Sequence, residues 1–189
     1  FLMSDDQRLP DPRGLIASLP RSHGGSAIIL RHRDDDIRKQ LAFDLVPICR
    51  KHHVSLLIAE DVALAHACHA DGVHFSQKTM TRNSHLTQQA VRLGWIVSSS
   101  AHSLRSAHRA EKLGVRALLV SPVFPTASHP GARTLGPLGI ATLANQINVP
   151  VYALGGINTK TLKHLKGCGL SGIAGIEFIA KPLNCYKKG

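Results

Sequence analysis

The 189-residue sequence is poor in aromatics, with 4% Phe, Trp and Tyr, and poor in acidic side chains, with 12 Asp and Glu against 23 Lys and Arg. So few rings leave a nucleic acid little to stack on. The basic residues are dispersed, concentrated only at Arg31-His32-Arg33 and the terminal Lys187-Lys188. The formal charge of +11 therefore speaks for small anionic ligands, and nucleic acid is not an expected partner. Cysteine is scarce as well. Cys49, Cys68, Cys168 and Cys185 form no C-x-x-C pair, which excludes a disulfide framework or zinc ribbon as the scaffold and leaves reduced, mostly buried thiols. No apolar run reaches the roughly 18 residues that cross a bilayer, and residues 1–6 lack the basic and apolar regions of a signal peptide. A cytoplasmic protein without membrane contact is expected.

What is present is a rhythm. At 43% hydrophobic residues and 19% charged, the composition is that of a folded globular chain. Short apolar runs alternate with longer amphipathic stretches, the mark of repeated βα units on a parallel sheet. Eight runs qualify as strands: residues 1–3, 27–30, 55–58, 72–75, 96–99, 117–120, 151–154 and 172–174. Helical periodicity falls between them, most clearly over residues 35–51, 104–113 and 138–146. Gly94, Gly114, Gly167 and Gly169 stand at helix ends, where a left-handed residue turns the chain back. The sequence thus predicts an α/β fold over residues 1–189, a single TIM-type (β/α)8 barrel in one domain. It would be compact or slightly truncated, since a complete barrel usually takes about 250 residues. An open, doubly wound sheet stays as the alternative, because repeated βα units do not by themselves close.

Three features carry chemistry. In Ala153-Leu154-Gly155-Gly156-Ile157-Asn158-Thr159 an apolar strand runs into two glycines and a helix start, so backbone N–H groups can approach an anion closely. A second such turn follows around Gly175-Ile176. Loops after the seventh and eighth strands are where barrels commonly hold phosphate, although the glycines could equally just make tight turns. Strand alternation sets Ile29, Arg31 and Arg33 on one side of the second strand, with both arginines at its C-terminal end, ready to clamp a pyrophosphate unless they are simply solvated. The long segment 121–133 after the sixth strand gathers hydroxyls, His129 and Arg133 in a loop stiffened by Pro and Gly. Loops of this length are often functional.

With these residues in view, the sequence resembles the thiamine phosphate synthase and TenI superfamily. The resemblance rests on V-x-x-A at 62–65, A-D-G-V-H at 70–74, S-x-H-S at 100–103, S-P-V-F-P-T-x-S at 121–128, A-L-G-G-I at 153–157 and G-x-A-G at 172–175. These come in order along nearly the whole chain. The synthase joins a hydroxymethylpyrimidine pyrophosphate to a thiazole phosphate, with Mg²⁺ assisting the departure of pyrophosphate. The resemblance implies that Thr126, Ser128, the backbone at Gly155 and Gly156, and the turn at Gly175-Ile176 hold the thiazole phosphate. Arg31, seconded by Arg33, would contact the pyrophosphate, and Ser100 would lie near the reacting pyrimidine.

The departures from the pattern fall mainly on the pyrophosphate half. The family's Gln-x-Arg-x-Lys stands here as Ile29, Arg31 and Arg33, and its Asn-Asp as Ala59-Glu60; a second metal carboxylate falls at Thr79. Glu60 alone would then ligate Mg²⁺. The loop lysine is His129, and a hydroxyl of the last phosphate turn is Glu177. TenI, a thiazole tautomerase, has its acid/base histidine where Pro122 stands, which leaves His102 and His129 as candidates for proton transfer. The expected function is a divergent thiamine phosphate synthase, with a TenI-like tautomerase or a non-catalytic binder of a thiamine-pathway phosphate as alternatives. Small phosphorylated substrates are the expected partners, with a homodimer allowed for. His66, Cys68, His69 and His74 lie close in sequence but lack strict ligand spacing, so packing or surface roles are expected of them.

Overall fold

Eight short strands alternate with helices through the computed structural model, which describes residues 1–20, 25–126 and 131–176. The described residues divide into two compact units, Phe1–His74 with Ile176, and Phe75–Gly175. The first unit carries β1 (Leu2–Met3), α1 (Arg13–Ala17), β2 (Ala27–Leu30), α2 (Asp35–His52), β3 (Ser55–Ala59), α3 (Val62–Ala67) and β4 (Gly72–Phe75), the last residue of which opens the second unit. Its strands pair in sequence order and in parallel, with Ile29 opposite Leu57 and Ile58 opposite Val73. Ile28, Ile29, Leu30, Leu56, Leu57 and Ile58 are at most 1% exposed. A parallel strand covered on both faces reads as an unbroken apolar run, which is why these segments were plain in the sequence.

The second unit continues with α4 (Gln77–Arg82), α5 (Ser84–Arg92), β5 (Ile96–Ala101), α6 (Leu104–Lys112), β6 (Ala117–Val120), α7 (Gly136–Asn145), β7 (Val151–Ala153), α8 (Thr159–Leu162) and β8 (Gly172–Ile173). β5 to β8 also pair in order and in parallel. All eight expected strands are present, each with bounds within two residues of the expectation, and Gly94, Gly114, Gly167 and Gly169 have φ of 77°, 83°, 80° and 69°.

Capping explains where the helices begin. The Asp34 carboxylate accepts from the Ile37 N–H at 2.9 Å, Asp35 and Asp36 follow in the first turn, and Arg50, Lys51 and His52 occupy the last turn of α2. Both charge signs match the helix dipole. The helix lays Leu41, Ala42, Leu45 and Cys49 into the core. α6 opens on a reciprocal capping box between Ser103 and Ser106. α7 starts two residues before the apolar periodicity does, because Pro137 sits in its first turn, where the missing N–H costs nothing. The described cysteines, Cys49, Cys68 and Cys168, are buried free thiols, and burial pushes Cys49 up to about 12. No helix among the described residues is long and apolar enough to cross a membrane.

Candidate functional site

In the second unit the loop after β6 is strapped along the loop after β7. Leu154 N–H donates to Val120 O at 2.9 Å, Val123 N–H to Leu154 O at 3.0 Å, and Phe124 N–H to Gly155 O at 3.1 Å. Gly155 and Gly156 both have left-handed φ, 94° and 68°. A Cβ on Gly156 would run into the Pro125 carbonyl oxygen and meet Phe124 Cβ at 2.7 Å, and one on Gly155 would meet Pro122 Cα at 3.0 Å. The glycines are therefore required by the backbone of a neighbouring loop, before any ligand is considered. Neither the oxyanion reading nor the tight-turn reading of the sequence contained this, since the contact joins residues some thirty positions apart.

Past the glycines, Asn158 Oδ1 accepts from Lys160 N–H at 2.9 Å and Thr161 N–H at 3.1 Å, and Thr161 Oγ1 donates back to Gly156 O at 3.0 Å. This box fixes the turn into α8 and presents the Gly156 and Ile157 backbone in a set conformation. No described group accepts from the N–H of either residue. Ala174 N–H donates to Ala153 O at 2.8 Å, so Gly175 leaves β8 at the same end as Gly155-Gly156 leave β7. Thr126 is half-buried at the end of the strap. Ile176 belongs to the first unit, while Ser128, His129 and Glu177 lie outside the described residues.

Also in this unit, Ser100 sits half-buried in β5 opposite Leu119. Just beyond it, His102 Nδ1 lies 2.6 Å from Ser121 O. A carbonyl oxygen can only accept, so Nδ1 carries a proton, which leaves Nε2 as the ring nitrogen open to a substrate. The His102 N–H donates to Gln77 Oε1 and to Ser106 Oγ, each at 3.1 Å. The histidine therefore has a fixed backbone and a fixed tautomer. Pro122, at the tautomerase position, contributes a carbonyl to Leu135 N–H at 3.1 Å and no titratable group.

In the first unit both arginines stand just past the C-terminal end of β2, whose ladder stops at Leu30. Each is oriented by an acidic partner. Arg31 N–H donates to Ser4 Oγ at 2.7 Å, and its guanidinium meets Asp5 at 2.9 Å. Arg33 lies 3.3 Å from Asp6, with its side chain 91% exposed. Asp5 also receives Arg8 at 3.0 Å and the N–H groups of Gln7 and Arg8. The Arg8 hydrogen bond, aided by those N–H groups, holds its carboxyl well below the usual range. Asp5 was missed in the sequence, although an Asp-Asp pair directly after the first strand, at the end where the arginines stand, was the available signal.

Glu60 follows β3 with φ 64°, its N–H donating to His74 O at 2.9 Å and its side chain exposed. The adjacent Asp61 is committed elsewhere: it caps α3 through Leu64 N–H at 2.8 Å and pairs with Arg38 at 3.1 Å. No cluster of three or more His, Cys, Asp and Glu able to hold a metal occurs among the described residues. Thr79, in the second unit, is a first-turn residue of α4 whose N–H is capped by Ser76 at 3.2 Å. One exposed carboxylate suits Mg²⁺ where water and substrate oxygens complete the octahedron, and does not suit an all-protein cage.

His66 and His69 are exposed, whereas His74 is 4% exposed. Burial first, and the charge of Arg31 second, push His74 down to about 4. It is neutral in the fold. Below the ordinary value of 6.5 the unfolded chain takes up a proton that the fold refuses, so stability falls as pH drops from 6.5 toward 4 and is level above. Between pH 7 and pH 5 this amounts to about 2 kcal/mol. Urea titrations should show that loss in the native protein, and a much flatter profile over the same interval in His74→Gln; equal slopes would remove His74 as the cause.

Comparison with known proteins meets this geometry. The profile of the thiamine monophosphate synthase family matches residues 16–179. The chain belongs to this family. An Aquifex aeolicus relative whose name refers to thiamine-phosphate synthase is 37% identical over 156 residues, 82% of each chain. The thiamine-phosphate synthase of Clostridium tetani is 30% identical over 159 residues, 82% of this chain and 75% of its own. The solved structure of thiamine phosphate pyrophosphorylase from Pyrococcus furiosus superposes with a TM-score of 0.79 at 26% identity, over 96% of this chain and 90% of that one.

Proposed function

We propose that the protein is a thiamine phosphate synthase, joining hydroxymethylpyrimidine pyrophosphate to thiazole phosphate with release of pyrophosphate, on a single (β/α)8 domain. The observation that carries the proposal is the Gly155-Gly156 turn, held open by the strap and closed behind by Asn158 and Thr161, in a chain of the thiamine monophosphate synthase family. The N–H groups of Gly156 and Ile157, with Thr126, Ser128 and the turn at Gly175-Ile176, bind the thiazole phosphate. Arg31 holds the pyrophosphate, with the exposed Arg33 as a second cation. Ser100 lies against the pyrimidine.

The reaction breaks the bond between the pyrimidine methylene carbon and the pyrophosphate oxygen and makes one from that carbon to the thiazole. The bonding pair leaves with pyrophosphate. Such chemistry asks for charge stabilisation of the leaving group more than for a protein nucleophile. Asp5 supports it by fixing the Arg31 guanidinium before substrate arrives, so less ordering is needed at the barrier. Glu60 would hold Mg²⁺, which when bound neutralises the pyrophosphate charge. His102 and His129 remain the candidates for moving a proton, His102 through Nε2. Pro122 gives the tautomerase no acid or base at its position, which favours the synthase.

Pyrophosphate release tests the proposal. It should require both substrates and Mg²⁺ together; background release in the complete mixture would overturn it. In Glu60→Gln the Mg²⁺ concentration for half-maximal rate should rise about tenfold or more, the scale of one lost contact to a charged group. An unchanged Mg²⁺ dependence would take Glu60 out of the metal site.

A further inference from the structure

Within the second unit, a groove runs between α4 and α5 on one side and α6 on the other. At one end it deepens into a cavity of about 270 Å³ lined by Gln77, Thr81, Ser99, Ser103, Arg105 and Arg109 among others. At the other it widens into an open trough of about 700 Å³ that shares Thr81, Arg105 and Arg109 and adds Lys112. Not one residue lining either part is acidic. Arg105, Arg109 and Lys112 follow one another at i, i+4 and i+7, one face of α6.

Three features set these cations apart from solvated surface charge. First, neither arginine nor Lys112 takes part in any ion pair among the described residues, whereas Arg8, Arg13, Arg31, Arg33 and Arg38 all do. Second, Arg109 is drawn across the groove to Thr81, donating to its Oγ1 at 3.3 Å, so the guanidinium roofs the cavity. Third, the lining includes Ser99, a fully buried residue whose hydroxyl donates to Ser100 O at 3.2 Å, which leaves its oxygen lone pairs available. Two forked cations, hydroxyls and an amide around so small a volume make a recognition surface for a compact oxyanion.

Ser100, placed above against the pyrimidine, also borders the cavity, but the phosphate-binding groups proposed above do not. Successive residues of a strand point to opposite faces, so Ser99 turns away from the face of β5 that carries Ser100. Gly156, Thr126 and Arg31 line neither part of the groove. We infer that this groove is a second anion site, which takes a small phosphate-bearing ligand of pyrophosphate size through Arg105 and Arg109. The 270 Å³ of the cavity suits a pyrophosphate-sized ion, and Lys112 at the open end adds a cation for any further charge on the ligand.

Calorimetric titration with inorganic pyrophosphate at low salt, without Mg²⁺, tests the inference. Wild type should bind two equivalents. The R105A/R109A variant should lose one of them, or bind it at least tenfold more weakly, while R105K/R109K, which keeps the charge, should retain it in weakened form. Melting curves of the variants that match wild type assign the loss to the site rather than to the fold. Arg31→Ala should lose the other equivalent. If R105A/R109A binds pyrophosphate with wild-type stoichiometry and affinity, the inference is wrong. If it loses one equivalent and Arg31→Ala loses none, the groove stands and the pyrophosphate role of Arg31 falls.

Discussion

Gly156→Ala should lower stability by about 3 kcal/mol and abolish binding of thiazole phosphate. Two costs add. A non-glycine residue at the left-handed φ of 68° costs roughly 1–2 kcal/mol, and forcing a methyl group into occupied space costs about 1–3 kcal/mol. The new methyl would overlap the Pro125 carbonyl oxygen and the Phe124 backbone, so relief requires the strap to lift from the β7 loop. That motion breaks the Phe124 to Gly155 hydrogen bond and carries Thr126 away from the Gly156 turn. For a chain of this size the loss amounts to a fall of about 6–12 °C in melting temperature. Thermal denaturation and calorimetry with thiazole phosphate check the two halves of the expectation. A variant with native melting and native affinity would mean that the strap does not press on Gly156.

Arg31→Ala should cost about 10² to 10³ in kcat, the range for removing one preorganised donor from a developing charge, with little change in melting temperature. Stability is spared because Asp5 keeps Arg8 and two backbone N–H groups as partners when Arg31 is lost, and because the Arg31 side chain is half-exposed. Arg31→Lys should recover part of the rate, since it restores a charge near Asp5 but not the fork that grips two oxygens at once. Steady-state kinetics with the pyrimidine pyrophosphate varied separates the outcomes. A rise in KM alone, with kcat intact, would show Arg31 holding substrate without stabilising its departure.

The fold was legible where the physics is local and repetitive. Ile28 to Leu30, Leu56 to Ile58 and Leu118 to Val120 are apolar at every position because their strands are covered on both faces, and Asp34 and Ser103 announce helices through caps a few residues long. The positions of Arg31, Gly155 and Gly156 could be read for the same reason, since each stands where a strand ends. What could not be read was whatever joins distant segments. The reason for Gly156 lies in Pro125, the orientation of Arg31 lies in Asp5, and the tautomer of His102 lies in Ser121.

These contacts also bear on the departures from the family pattern. The half proposed to hold pyrophosphate lacks an amide at Ile29 and a second carboxylate at Thr79, yet it keeps an arginine set in place by Asp5 and a carboxylate at Glu60. The half proposed to hold thiazole phosphate keeps its glycines under a steric constraint imposed by the neighbouring loop. Such a protein should turn over more slowly than a relative with the full set, and still by the same chemistry.

The most direct measurement is phosphorus NMR of one mixture containing the protein, Mg²⁺ and equal amounts of hydroxymethylpyrimidine pyrophosphate and thiazole phosphate. For a synthase, both substrate signals should decline together while thiamine phosphate and inorganic pyrophosphate grow in equal amounts. Thiazole phosphate that is bound or isomerised while the pyrimidine pyrophosphate stays intact would contradict it.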